Sequence, residues 1–512
     1  MNDKPGPTVS LESKIGDRYE ESKQLMLQQF DQCSDLILRE IYISDANVRA
    51  FFLYIDGMLM SEDLQEHVIR PLQELKRDTL DRLTDLSELG KQVLSVSSFV
   101  QLERYERAVH DILAGSAVLF IEGQAGALRL DIDGTPGRSI TESSVEVVIR
   151  GPREAFTESL QTNLGMVRKR LRNASMKTIP FEIGEQSRTK VVLLYMEGLA
   201  DPKVIQEVKR RLEAIRIDAI LESGYIEELI EDNSYSPFPQ LLYAEKPDSV
   251  VSQLLEGKFA IMIDGTPIVI KGPTTFWQML QASEDYYERY MISTLVRWLR
   301  LLFIAVALLM PSLYIATTTF HQDMLPTTLI LSIAAAREVI PFPALVEALI
   351  MEVAFEALRE AGIRLPKTVG QAVSILGALV IGQAAVEAGI VSAPMVIVVS
   401  LTGIASFTVP RFNMAIAIRM LRFPLMILAG VFGLFGIVIG VLWITTHLCL
   451  LQSFGTPYMS GFAPYRKNEI KDIFVRAPWW KMTRRPEPTV GNVQRMPSKL
   501  KSIIMNKKDD AP

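Results

Sequence analysis

Two kinds of hydrophobic pattern divide the chain. Up to about residue 294 the apolar positions come in short runs, each closed by an acidic residue and a glycine. Phe52-Leu53-Tyr54-Ile55-Asp56-Gly57 recurs as Leu193-Leu194-Tyr195-Met196-Glu197-Gly198. Leu113-Ala114-Gly115 followed by Val118-Leu119-Phe120-Ile121-Glu122-Gly123 recurs as Leu255-Glu256-Gly257 followed by Ala260-Ile261-Met262-Ile263-Asp264-Gly265. The two signatures stand 66 residues apart in the first copy (Asp56 to Glu122) and 67 in the second (Glu197 to Asp264). A third match, Val148-Ile149-Arg150-Gly151-Pro152 against Val269-Ile270-Lys271-Gly272-Pro273, is reached in the first copy through a longer insert. Content and spacing together imply a duplicated unit. Each run reads as a buried strand ended by a turn in which glycine supplies the positive φ. Helical patterns, 64–89 and 202–215, fall between them, the second opening with Asp201 as N-cap and Pro202 at the first helical position. Strands alternating with helices predict a mixed or parallel sheet covered by helices. The acidic turn residues are strand terminators in a duplicated scaffold or, less simply, metal or ligand contacts.

From residue 299 the apolar positions fuse into long runs. Spans are predicted near 299–319, 369–386, 390–409 and 424–451, each near the ~20 residues that cross a hydrocarbon core of ~30 Å. Arg297 and Arg300 mark the start of the first as a cytoplasmic end, and Pro311 inside it predicts a kink. The stretch 325–362 is different. A short apolar piece, 325–336, precedes a charged helical segment, 344–362, whose Glu352, Glu356 and Glu360 share one face while Leu345, Leu349, Val353 and Leu358 populate another. It reads as re-entrant or interfacial, its acids either solvated or facing an ion path. Four crossings put both chain ends in the cytoplasm, but leave Arg411, Arg419 and Arg422 on the far side, against the positive-inside rule. An in-plane helix over 411–423 softens that conflict.

Charge follows the same division. Residues 1–294 carry 33 Lys+Arg and 47 Asp+Glu, residues 295–465 carry 9 and 7, and residues 466–512 carry 12 and 5. The chain-wide net of -5 therefore averages an acidic part, a membrane-like block and a basic tail. Arg466, Lys467, Lys471, Arg484 and Arg485 follow the last span and suit anionic headgroups, at roughly 1 kcal/mol each near a surface. Trp479-Trp480 suits the interface. Residues 1–22 are polar with two prolines and read as a flexible lead without a signal-peptide core. Cys33 and Cys449 stand in unlike regions, and His67, His110, His321 and His447 stand far apart, against a disulfide framework or a zinc site. There is no phosphate loop and no nucleophile elbow, so no enzyme and no cofactor is expected. The acidic first part argues against nucleic acid.

Several motifs of the apolar block are recognisable in order. Thr319-Phe320-His321-Gln322, Met324-Leu325-Pro326-Thr327, Pro341-Phe342-Pro343-Ala344, Leu358-Arg359-Glu360-Ala361-Gly362, Gly370-Gln371-Ala372-Val373-Ser374-Ile375, Gly377-Ala378-Leu379-Val380-Ile381-Gly382 and Leu421-Arg422-Phe423-Pro424 resemble the A subunit of bacterial spore germinant receptors, the GerA family. The resemblance runs from about residue 45 to 485. It implies a cytoplasmic α/β domain in two related halves, followed by an α-helical multi-pass membrane domain in the spore inner membrane. It also implies a transporter-like, nutrient-binding B subunit, a C-subunit lipoprotein, and a ring of copies, by family a pentamer, that opens to cations and triggers germination. The expected divisions are a lead, 1–44; subdomains 45–165 and 166–290; a membrane domain, 295–465; and a cytoplasmic basic tail, 466–512.

Within such a ring, residues 369–389 suit a pore. Gly370, Ser374, Gly377 and Ala378 form a small-residue stripe, which serves equally for ordinary helix packing. Gln371, Ser374, Gln383 and Glu387 are polar where lipid contact is costly, and Ile381 between them suits a hydrophobic gate. A ring of Glu387, or of Glu352 and Glu356, favours cations; for Gln383 and Glu387 the plainer role is a hydrogen bond between subunits or a helix end. Three other readings stay open: a secondary transporter, whose usual membrane repeat is missing here; a non-conducting receptor scaffold; and an accessory paralogue of the dipicolinate-release machinery.

Overall fold

The computed structural model describes residues 10–43, 48–75, 86–96, 98–132, 150–366, 382–466, 469–486, 490–491 and 493–496. They fall into two units: Met1–Glu231 with Leu241–Pro273 and Trp480–Pro512, and Asp232–Gln240 with Thr274–Trp479.

The first unit holds two five-stranded sheets. Strands β1 (Leu36–Ile43), β2 (Val48–Ile55), β3 (Ser98–Leu102), β4 (Ala117–Ile121) and β5 (Ala127–Asp131) lie in the order β1-β2-β4-β5-β3. Strands β6 (Met176–Ile183), β7 (Thr189–Met196), β8 (Leu242–Ala244), β9 (Phe259–Ile263) and β10 (Val269–Gly272) repeat it as β6-β7-β9-β10-β8. The repeated signatures end β2 and β7 and fill β4 and β9, so the duplication is real. Two details differ from expectation. Every pairing in both sheets is antiparallel, because alternation of strand and helix does not fix strand direction, and β1-β2 and β6-β7 are direct hairpins. The sheet partner of β10 in the first half is β5, not the segment around 148–152, of which 148 and 149 lie outside the described residues.

β2 reads as an unbroken apolar run because both its faces are covered. Phe51, Leu53 and Ile55 enter one core with Met26, Phe30, Tyr105 and Ile112. Ala50, Phe52 and Tyr54 enter another with Leu64, Val68, Leu72, Leu86 and Leu89. Phe51 stacks on Phe120 with ring centroids 4.6 Å apart, and burying each such side chain contributes roughly 1.5–3 kcal/mol. The expected lead is part of this core. Helix α1 (Tyr19–Gln29) buries Tyr19 and Met26, the Ile15 amide donates to the Glu103 carbonyl at 2.8 Å, and β1 is an edge strand. A sparse stripe at Ile15, Tyr19, Met26 and Phe30 was hidden by the polar average around it.

Helix α2 (Tyr105–Ala114) precedes β4, as α5 precedes β9 in the second half, where α3 (Leu160–Arg170), α4 (Pro202–Ala214) and α5 (Pro247–Leu254) follow in chain order. Asp201 caps α4 through the Lys203 amide at 2.9 Å, as expected. The expected division at 165/166 falls inside α3, whose Leu160, Leu164 and Val167 belong to the second core. Among the turn acids, Glu122 pairs with Arg49 at 2.7 Å and Glu197 with Lys177 at 3.3 Å. Among the described residues no group of three or more His, Cys, Asp or Glu is disposed to hold a metal ion.

The second unit is helical: α6 (Tyr290–Thr319), α7 (Thr327–Arg337), α8 (Ala344–Arg364), α9 (Ala393–Ser406) and α10 (Phe412–Leu450). α6 and α10 are long and apolar enough to cross a membrane, at mean hydropathy 2.1 and 2.7. α10 is two helices, not the single last span expected at 424–451. Gly433 sits at φ 60, ψ -141, outside helical space. A Cβ placed on Gly440 would stand 2.3 Å from the Leu425 side chain, and one on Gly436 would stand 2.1 Å from the Leu428 carbonyl oxygen. In a continuous helix rising about 1.5 Å per residue those pairs would be far apart. The chain therefore reverses at Gly433, and the arms 412–432 and 434–450 lie antiparallel with glycines at their contact.

Candidate functional site: a charged ladder in the apolar helices

Contacts fix the helix directions. Arg422 reaches Ala307, and Gly433 abuts Phe320 and His321, so the first arm of α10 runs alongside α6 in the same sense. Gly430 meets Leu345 and Arg422 meets Glu352, so α8 runs opposite. Glu347 meets Ser392 and Arg359 meets Ser406, so α9 runs with α8. Arg411, at the start of α10, thus lies at the end of the bundle where α6 begins.

α8 packs one face against its neighbours. Ala344, Ala348 and Met351 enter a core with Ile315, Met395, Val399 and Met426. Its carboxylates are taken up by arginines. Glu347 accepts from Arg337 Nε at 3.1 Å and from the Ser392 amide at 2.9 Å, and is fully buried. Glu352 Oε1 and Oε2 lie 2.7 and 2.6 Å from Arg422 Nη1, while Arg422 Nε donates to the Ala307 carbonyl at 2.8 Å. Glu356 accepts from Arg359 at 3.0 Å and lies 3.8 Å from Arg419. Glu360 pairs with Arg364. Carboxylates in an apolar block persist when each has a cation and hydrogen bonds. Glu352 is buried in a pair that joins α8 to α10, whereas Glu356 is exposed, paired to Arg359 on its own helix with Arg419 farther off. The partner residues Arg419 and Arg422 were visible in the sequence as an i, i+3 pair in an apolar run; only their cross-helix role was missing.

Of the expected pore residues, Gln371, Ser374, Ala378 and Ile381 lie outside the described residues. Gln383 and Glu387 are exposed on a helical turn, with Gln383 Nε2 donating to Glu387 Oε1 at 2.9 Å. Glu387 differs from the acids of α8 in having a neutral amide as its partner.

The start of α6 carries a second charged group. Asp285 accepts from Arg300 Nη1 at 3.0 Å and Arg297 Nε at 3.3 Å. Arg297 Nη1 also reaches Asp472 Oδ1 at 2.9 Å, and Arg476 Nε donates to the Asp285 carbonyl at 3.1 Å. Arg297 and Arg300 therefore hold the segment 470–479 rather than facing open water. Of the basic tail residues, Lys471 and Arg484 are exposed and Arg466 lies 3.7 Å from Glu469. Arg485 donates to the Leu255 carbonyl at 2.7 Å and the Gln494 carbonyl at 2.9 Å. Lys467 lies outside the described residues. Trp479 and Trp480 are 44% and 37% exposed.

Comparison with known proteins bears on both units. The family model for the Bacillus/Clostridium GerA spore germination protein matches residues 24–488. A Bacillus subtilis protein described as the uncharacterized membrane protein YfkQ is 58% identical over 89% of this chain and 88% of its own length. Spore germination protein KA of Bacillus subtilis is 47% identical over 89% of this chain and 83% of its own. Spore germination protein GerLA of Bacillus cereus is 36% identical over 94% and 97%. Among solved structures, the N-terminal domain of the A subunit of the Bacillus megaterium spore germinant receptor GerK3 is 30% identical, covering 53% of this chain and 99% of that one, with a TM-score of 0.42.

Proposed function

The chain belongs to the GerA family of spore germination proteins, as an A subunit and a membrane protein, and we propose that it forms the nutrient-gated cation path of a receptor in the spore inner membrane. In this reading several copies surround an axis, by family resemblance five. A transporter-like B subunit binds the nutrient and a lipoprotein C subunit completes the complex. Both ends of the chain lie in the cytoplasm.

The observation that carries the reading is Glu387. Arginines neutralise the acids of α8 within the chain, whereas Glu387 is exposed beside Gln383 with no cation paired to it among the described residues. A carboxylate in that setting is stable against water or another copy, not against lipid. Repeated around a ring, it concentrates cations at one level, with Gln371, Ser374, Ala378 and Ile381 at others. Exposed Lys471 and Arg484 suit anionic headgroups on the cytoplasmic side. Nutrient binding in the B subunit widens the ring through its contacts with these helices.

The test is ion flux through the assembled complex in vesicles. Glu387→Gln is expected to lower cation selectivity, whereas Glu352→Gln acts through helix packing and lowers the amount of folded complex. Unchanged selectivity and flux in Glu387→Gln would remove that residue from the path.

A further inference from the structure

Two glutamates and three arginines run from the middle of the helical unit, where Glu352 and Arg422 meet beside Ala307, to the level of Ser406, where α9 stops. Glu352 holds Arg422, while Glu356 is shared between Arg359 and Arg419. Arg359 is close enough to Glu352 and Arg422 to feel both charges. The set carries one positive charge more than its acids cancel. Two guanidinium nitrogens, Arg422 Nη2 and Arg419 Nε, are closed to solvent and have no acceptor, and Arg422 as a whole is 2% exposed. Arg359 Nη2 donates to Ser406 Oγ at 3.3 Å. Phe407 lies against Arg359 and Phe412 against Arg419, with the guanidinium carbons 5.1 and 5.9 Å from the ring centroids. Both rings are exposed, at 74% and 49%.

An uncompensated guanidinium charge among apolar helices costs several kcal/mol unless an anion completes it. Guanidinium groups match the geometry of phosphate oxygens, offering fixed donors as well as charge. We propose that Arg419 and Arg422, with Arg359 beside them, bind one phosphate oxyanion, supplied by the headgroup of an anionic phospholipid. The single surplus charge equals the single negative charge of a phosphodiester. The exposed rings of Phe407 and Phe412, with Met420 at 59% exposed on the same arm, give the acyl chains an apolar surface next to the donors.

The full chain in a neutral detergent is titrated with phosphatidylglycerol, phosphatidylcholine or inorganic phosphate while thermal unfolding is followed by tryptophan fluorescence. Phosphatidylglycerol is expected to raise the midpoint of the wild-type chain, and phosphatidylcholine to do so much less. Arg419→Gln is expected to need about tenfold more phosphatidylglycerol for the same rise, a loss of one good charge-assisted contact. If that variant does not fold, Arg419→Lys, which keeps the charge and loses the fork, is expected to fall between the two. Inorganic phosphate acting at the same concentrations as the lipid, and losing its effect in Arg419→Gln, supports the site with a soluble anion as its source. Equal responses to the two lipids, or Arg419 variants that respond like the wild type, overturn the proposal.

Discussion

Arg168 and Asp35, 133 residues apart in sequence, form a doubly hydrogen-bonded ion pair between the two halves of the first unit, with both side chains closed to solvent. Nε meets Oδ2 at 2.6 Å and Nη2 meets Oδ1 at 2.9 Å. Thr178 Oγ1 adds a third donor to Asp35 Oδ1 at 2.8 Å, and Arg168 Nη1 donates to the Asn173 carbonyl at 3.0 Å. Asp35→Ala leaves a guanidinium buried without its anion and is expected to cost about 3–5 kcal/mol. Replacing both partners, as Asp35→Leu with Arg168→Met, is expected to cost clearly less. Chemical unfolding of the full chain in detergent measures both.

The Glu352–Arg422 pair predicts a double-mutant result. Glu352→Gln strands Arg422, and Arg422→Gln strands Glu352, so each single change lowers the midpoint of thermal unfolding. The double variant is expected to recover part of the loss, with a coupling of at least about 1 kcal/mol. Additive losses would mean that the two charges do not brace each other.

Gly433 predicts a backbone effect. At φ 60, ψ -141 a side chain is strained, and a Cβ would stand 2.7 Å from His321 Cε1. Gly433→Ala is expected to destabilise the helical unit by about 1–3 kcal/mol. Gly403→Ala, in a helix with open space around its Cβ position, is the control and is expected to be neutral or slightly stabilising. Thermal unfolding in detergent compares the two.

Glu227, on the helix Ser223–Ile230, gives the first unit a pH dependence. Burial, then the charges of Glu231 and Glu222, push its carboxyl up to about 7. The folded chain keeps a proton that the unfolded chain releases near 4.5. The contribution of this group is therefore fully present below about pH 4.5 and is lost as pH rises towards 7. Glu227→Gln is expected to flatten this part of the profile and to stabilise the chain at pH 8, read from unfolding midpoints across that range.

The duplicated halves were legible because strand-ending motifs leave a spaced signature, and β2 with β7, and β4 with β9, fall where those motifs stand. Strand direction was not, since an apolar run and a closing glycine look alike in parallel and antiparallel sheets. The third repeat misled: Val269-Ile270-Lys271-Gly272 resembles 148–151 in letters, yet β5 occupies the matching place. The acids of α8 were picked out by their helical spacing, but spacing assigns a face within one helix and not the partner across from it. Arg422 was read as a topology problem when it is the counter-charge of Glu352. The reversal at Gly433 was hidden because both arms are equally apolar.

The basic tail has an effect on synthesis. The Val490 amide donates to the Leu199 carbonyl at 2.9 Å, Arg485 to Leu255 at 2.7 Å, and Arg495 to Glu256 at 2.8 Å. These contacts join the turn after β7 and the loop before β9, in the unit that leaves the ribosome first, to residues that follow every apolar helix. Its folding can begin early, but these contacts form only once every apolar helix has been translated. A chain stopped anywhere in the helical block thus lacks these three contacts of its first unit.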